Sequence, residues 1–108
     1  MARSDDLKSD RDQYEYCLKR ARNTANSLRQ TISTMKSCRN IQNANYVVND
    51  VRGGTKFLQY LIEREESILN DVNNIISATV DKINSLNWSI SDAEKEEELE
   101  KEREKNNG

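Results

Sequence analysis

The sequence contains no proline and no histidine, and only three of its 108 residues are glycine. Without proline, nothing fixes a kink or forbids a helix outright. Without histidine, the commonest general base near neutral pH and the commonest metal ligand are both missing, and the cysteines and acids show no metal-ligand spacing. Six aromatics and few turn residues are far from the make-up of a sheet protein. No apolar run approaches the ~20 residues that cross a bilayer, so no membrane span is expected. The opening Met-Ala-Arg-Ser-Asp-Asp also lacks the apolar stretch of a cleavable signal peptide. Long helices are the default reading of such a chain, in at most one domain that buries about two thirds of its unfolded surface.

Two further scarcities concern chemistry. Cys17 and Cys38 are the only cysteines, and on one straight helix they stand about 31 Å apart at 1.5 Å per residue, beyond the reach of a disulfide. They read as reduced thiols beside a packing seam. There is no nucleophile elbow and no glycine-rich phosphate loop; Gly53-Gly54 reads as a turn. A non-enzymatic protein without catalytic residues, cofactor or metal is therefore expected.

Charge is abundant but uneven. The formal net charge is -2, yet residues 16–39 carry Lys19, Arg20, Arg22, Arg29, Lys36 and Arg39 with no acid, and 92–108 hold eight acids against four bases. A basic helix can bind nucleic acid. Here no aromatic is interleaved to stack on bases, so a solvated helix face is the preferred reading and no nucleic-acid partner is expected.

What is present is helical periodicity. Leu7, Tyr14, Leu18, Ala21, Ala25, Leu28, Ile32 and Met35 repeat at four-three spacing, interrupted where Arg11 takes the expected position. Ser4 supplies an N-cap, and Asp5 and Asp6 suit the positive end of the helix dipole. The small Ala21 and Ala25 leave room for a close neighbour. After the glycines, Thr55 can cap a second helix bearing Phe57, Leu58, Leu61, Ile62, Ile68, Leu69, Val72, Ile75, Ile76, Val80, Ile83, Leu86 and Ile90. Adjacent pairs such as Leu61-Ile62 and Ile75-Ile76 make this stripe wide enough for two neighbours. Tyr60 and Trp88 read as seam or rim packing.

The expected fold is all-α: an antiparallel, coiled-coil-like two-helix hairpin over residues 1–91, followed by an acidic, partly disordered tail over 92–108. Helix one is expected over about 5–38, the turn over about 39–54 and helix two over about 55–90, with near-equal helix lengths. Two helices alone leave the second stripe partly exposed, beyond the patch size that ordinary monomers tolerate. A partner is therefore expected. One alternative is a free-standing homo-oligomeric coiled-coil protein, such as a homodimeric four-helix bundle. Leu18, Leu28, Ile32, Phe57, Leu61, Val72, Ile76 and Ile83 are the candidate contact or seam residues, with inward and outward roles undivided.

Val51-Arg52-Gly53-Gly54-Thr55-Lys56-Phe57 resembles the Trp-x-Gly turn, with its following phenylalanine, of small helical proteins encoded beside LXG-domain toxins of bacterial type VII secretion. Ile76-Ser77-Ala78-Thr79-Val80-Asp81-Lys82-Ile83-Asn84-Ser85-Leu86 resembles their second helix. The motif resemblance spans about 51–90. Val51 stands where the pattern has tryptophan, whereas Gly53 and Phe57 match; Gly54 completes the turn motif. Four residues after Phe57 comes Leu61, so the Phe-x-x-x-Asp export motif of the companion class is absent. Tyr46-Val47-Val48-Asn49-Asp50 spells Tyr-x-x-x-Asp, and a tyrosine packed under the loop is the preferred reading of it. The resemblance implies an adaptor-chaperone that binds the long helical LXG domain of a toxin, together with a second small helical protein, and promotes export through the type VII channel. It also implies cytoplasmic residence before export, and leaves open whether the chain is secreted with the toxin.

Overall fold

The computed structural model describes the backbone of residues 3–44 and 52–107 and the side chains of residues 3–41 and 56–107. All the described backbone is helical. Helix α1 spans Arg3–Ala44 and α2 spans Arg52–Asn107. No strand occurs among the described residues, and no helix there is long and apolar enough to cross a membrane. The two helices pack against each other antiparallel, as a hairpin.

Three expectations about the ends require correction. First, α2 begins at Arg52 and takes Gly53 and Gly54 into its opening turn. First-turn amides have no helical partner to lose, so glycine there costs only its backbone entropy, about 1 kcal/mol each. Second, the near-equal lengths are not found, since α1 has 42 residues and α2 has 56. Third, the acidic stretch, expected as a fraying helical extension that ends in disorder, continues α2 as helix to Asn107. Its first part is anchored: Ala93 is buried and Glu97 is held by Ser4. Val51 and the Tyr46-to-Asp50 motif lie outside the described residues, as do the side chains of the turn motif before Lys56.

The helices pair in two compact units. The terminal unit comprises Met1–Arg20 with Ile76–Gly108, and the mid-chain unit comprises Ala21–Ile75. In the terminal unit, Ile83, Leu86, Ile90 and Ala93 of α2 are buried at three-four-three spacing. Helix α1 answers with half-buried Leu7 and Leu18, and with Arg11 in the seam. Arg11 extends its guanidinium to Asn87 at 3.5 Å, Asp12 at 3.3 Å and Glu15 at 3.9 Å, so a cation occupies an apolar position by keeping its head in polar company. Arg3 meets Glu96 and Lys8 meets Glu94, both at 3.2 Å, and the partner number falls as the α1 number rises. These ion pairs are exposed and contribute at most ~1 kcal/mol each.

Ser4 is the buried polar residue of this unit, at 4% exposure. It lies inside α1, and its role is the reverse of an N-cap: its amide donates to Glu97 Oε1 at 3.0 Å and its hydroxyl to Glu97 Oε2 at 2.7 Å. The carboxylate of α2 thus satisfies one of the first-turn amides of α1, at the positive end of the helix dipole. Those two hydrogen bonds, the amide's first, hold the Glu97 carboxyl below the ordinary glutamate range, with Lys101 and Lys8 adding to the effect and partial burial opposing it.

The mid-chain unit buries Ala25 and Ile32 of α1 and Ile62 of α2 at different levels of the seam. Ile62 has no exposed surface at all. Leu28, Met35, Leu58, Leu61, Leu69 and Val72 of the same unit are half-buried. Ala25 is fully enclosed, as its small side chain lets the facing helix approach closely. Across the seam, Arg29 donates to Asn73 at 3.4 Å, Arg39 donates to Gln59 at 2.7 Å, and Lys36 stands 3.9 Å from Glu66.

Candidate partner-binding surface

The width of the α2 stripe decides what the hairpin leaves uncovered. One apolar helix face can bury only about 100° of arc against a single neighbour. In the mid-chain unit Ile62 and Leu69 face inward, whereas Phe57 (62% exposed), Tyr60, Ile68 and Ile75 remain outside. Leu61, Arg64, Ile68, Asp71 and Ile75 follow one another at alternating three and four residues, the spacing of a coiled-coil seam on the flank of α2. Leu61 and Val72 bridge the two faces, half-buried. Arg64 and Asp71 are exposed, and neither enters an ion pair among the described residues.

The terminal unit exposes different apolar groups. Trp88 is 75% exposed, beside a shallow groove lined by Asn84, Asn87 and Ser91. Tyr16 lies beneath Arg20, with its hydroxyl accepting a 3.0 Å hydrogen bond from the guanidinium and its ring centroid 5.8 Å away. Tyr14 has Lys82 6.0 Å from its ring centroid. Cys17 and Cys38 are free and exposed on α1.

Among the eight candidate contact or seam residues, the structure now separates the roles. Ile32 and Ile83 are buried between the helices of their own units. Leu18, Leu28, Leu61, Val72 and Ile76 are half-buried, and Phe57 alone faces fully outward. Tyr60, Ile68 and Ile75 belong to the outward strip and were not among the eight. The adjacent apolar pairs held the signal: where two neighbours on a helix are both apolar, only one can point at the partner helix. Tyr60 and Trp88 lie on the surface, outside the seam.

No known protein family matches the chain, nor does any curated protein or solved structure. Lys19, Arg20, Arg22 and Arg29 are exposed, while Lys36 and Arg39 are partly covered and tied to α2, so much of the basic run is a solvated face. No group of three or more cysteine and acid side chains that could hold a metal ion occurs among the described residues. Open grooves lie where the helices meet, one lined by Asp10, Gln13, Tyr14, Lys82 and Leu86 and another by Arg29, Ile32, Lys36, Glu66 and Leu69.

Proposed function

We propose that this chain is a non-enzymatic adaptor-chaperone that lays the outer strip of α2 along the helical N-terminal LXG domain of a toxin and promotes its export by type VII secretion. A second small helical protein completes the complex, which assembles in the cytoplasm before export. The observation that carries this reading is the strip of Phe57, Tyr60, Ile68 and Ile75, left uncovered by the hairpin's own packing. Apolar side chains repeated along one helix flank suit a helical partner, which can bury them with matching spacing. The resemblance of residues 51–90 to LXG-associated partners supplies the identity of that partner.

The test is the mass of the complex by light-scattering chromatography, for the chain alone and after co-expression with the long helical protein encoded beside it. A defined heteromer that is lost on Phe57→Asp supports the adaptor. A chain that ignores its neighbour and keeps its own assembly state overturns it and leaves a free-standing coiled-coil protein.

A further inference from the structure

The outer strip of the mid-chain unit has a property that its exposure alone does not require: it is self-complementary. Apolar residues stand at Leu61, Ile68 and Ile75, seven apart, and between them stand one base, Arg64, and one acid, Asp71. Seven residues return to nearly the same side of a helix, with a drift of ~20°. The five side chains therefore share one flank, and read backwards from Ile68 the pattern recurs to within one residue, with the base and the acid exchanged.

A two-fold axis between antiparallel copies sets the base of each against the acid of the other. With two copies antiparallel about Ile68, each Ile68 meets its own equivalent, and Leu61 meets Ile75 of the second copy. Arg64 then falls within one residue, about 1.5 Å along the axis, of Asp71 of the second copy. The same match occurs twice, as it must in an isologous contact. A parallel arrangement in register instead sets Arg64 against Arg64 and Asp71 against Asp71, and is disfavoured by both pairs.

We infer that in the free chain this strip is occupied by the same strip of a second copy, packed antiparallel about Ile68, with the Arg64 and Asp71 pairs setting its direction. The contact is short and places it among small, weak interfaces, which a stronger helical partner can displace. The dimer does not depend on the adaptor reading: it concerns the chain alone, and a heteromer formed on co-expression neither requires nor forbids it.

The experiment is sedimentation velocity of the full chain across the micromolar range, with far-UV circular dichroism on every variant. The weight-average mass is expected to rise with concentration toward twice the 12.5 kDa of one chain. Ile68→Glu should weaken association about tenfold or more while helicity is kept. Arg64→Asp sets carboxylate against carboxylate twice per dimer and should weaken it by about threefold or more, and the double exchange Arg64→Asp with Asp71→Arg should restore it. Loss of folding cannot imitate that restoration. A mass that stays at one chain throughout overturns the proposal. So does a dimer indifferent to Ile68→Glu, or a double exchange no better than its weaker parent.

Discussion

The two units reach a packed seam by different divisions of labour between the same two helices. In the terminal unit α2 supplies the buried apolar residues Ile83, Leu86, Ile90 and Ala93, and α1 answers largely with polar groups: Ser4 on Glu97, Arg3 on Glu96, Lys8 on Glu94 and Arg11 on Asn87. In the mid-chain unit both helices bury apolar groups, Ala25 and Ile32 from α1 and Ile62 from α2, and α2 has enough left over for an outer strip. A helix poor in apolar residues is thus still specified when its partner contributes acceptors for its amides and cations. A helix rich in them is specified with surplus, and that surplus is where a binding surface can arise.

Substitutions should break these two arrangements separately. The largest effect is expected from Ile62→Ala, which leaves a cavity in place of the one large side chain that is fully enclosed among the described residues and should cost roughly 2–5 kcal/mol. Amide hydrogen exchange should then quicken across residues 21–75, and Ile83→Ala should transfer the loss to the terminal unit. Ala25→Leu comes next. Overpacking a site closed on all sides costs about 1–3 kcal/mol, read as a lower thermal midpoint.

Glu97→Gln should act only on the terminal unit. Glu97 has a lowered pKa in the folded chain, so its contribution is present above the ordinary glutamate value of about 4.3 and is lost as pH falls through the lowered one. Lower protection of the Ser4 amide in acid, relative to its intrinsic exchange rate, absent from the mid-chain amides and already present at neutral pH in Glu97→Gln, is the expected signature. The smallest effect belongs to Glu102→Lys. This exposed position on the last turns of α2 should shift stability by no more than about 0.5 kcal/mol in a denaturant titration.

Much of this arrangement is legible in the sequence. The α1 heptads mark Ala25 and Ile32 as seam, and the paired apolar positions mark α2 as too broad for one neighbour. What is not legible is non-local. Residues 92–107 look unanchored when read alone, because the Arg3, Ser4 and Lys8 side chains that hold their first turns come from the other end of the chain. Ser4 looks like a cap because serine so often is one; its donor role appears only once Glu97 is beside it. Gly53 and Gly54 read as a breaker, yet the first turn of a helix tolerates glycine far better than the middle. Periodicity also assigns Phe57, Ile68 and Ile75 to the same broad stripe as Ile62 and Ile83, and cannot say which flank faces outward.

The antiparallel pairing has a kinetic consequence. The Arg39–Gln59 hydrogen bond joins residues 20 apart in sequence, whereas Ser4 and Glu97 are 93 apart. Closing the longer loop from an unfolded chain costs about 1.4 kcal/mol more in chain entropy, near tenfold in encounter probability. Pairing should therefore start beside residues 45–51 and run outward like a zip, so that pulse-labelled refolding finds mid-chain amides protected before those of the terminal unit. Each pair formed shortens the search for the next, and the meeting of Ser4 with Glu97, near one end of the chain and the last dozen residues of the other, comes at the close.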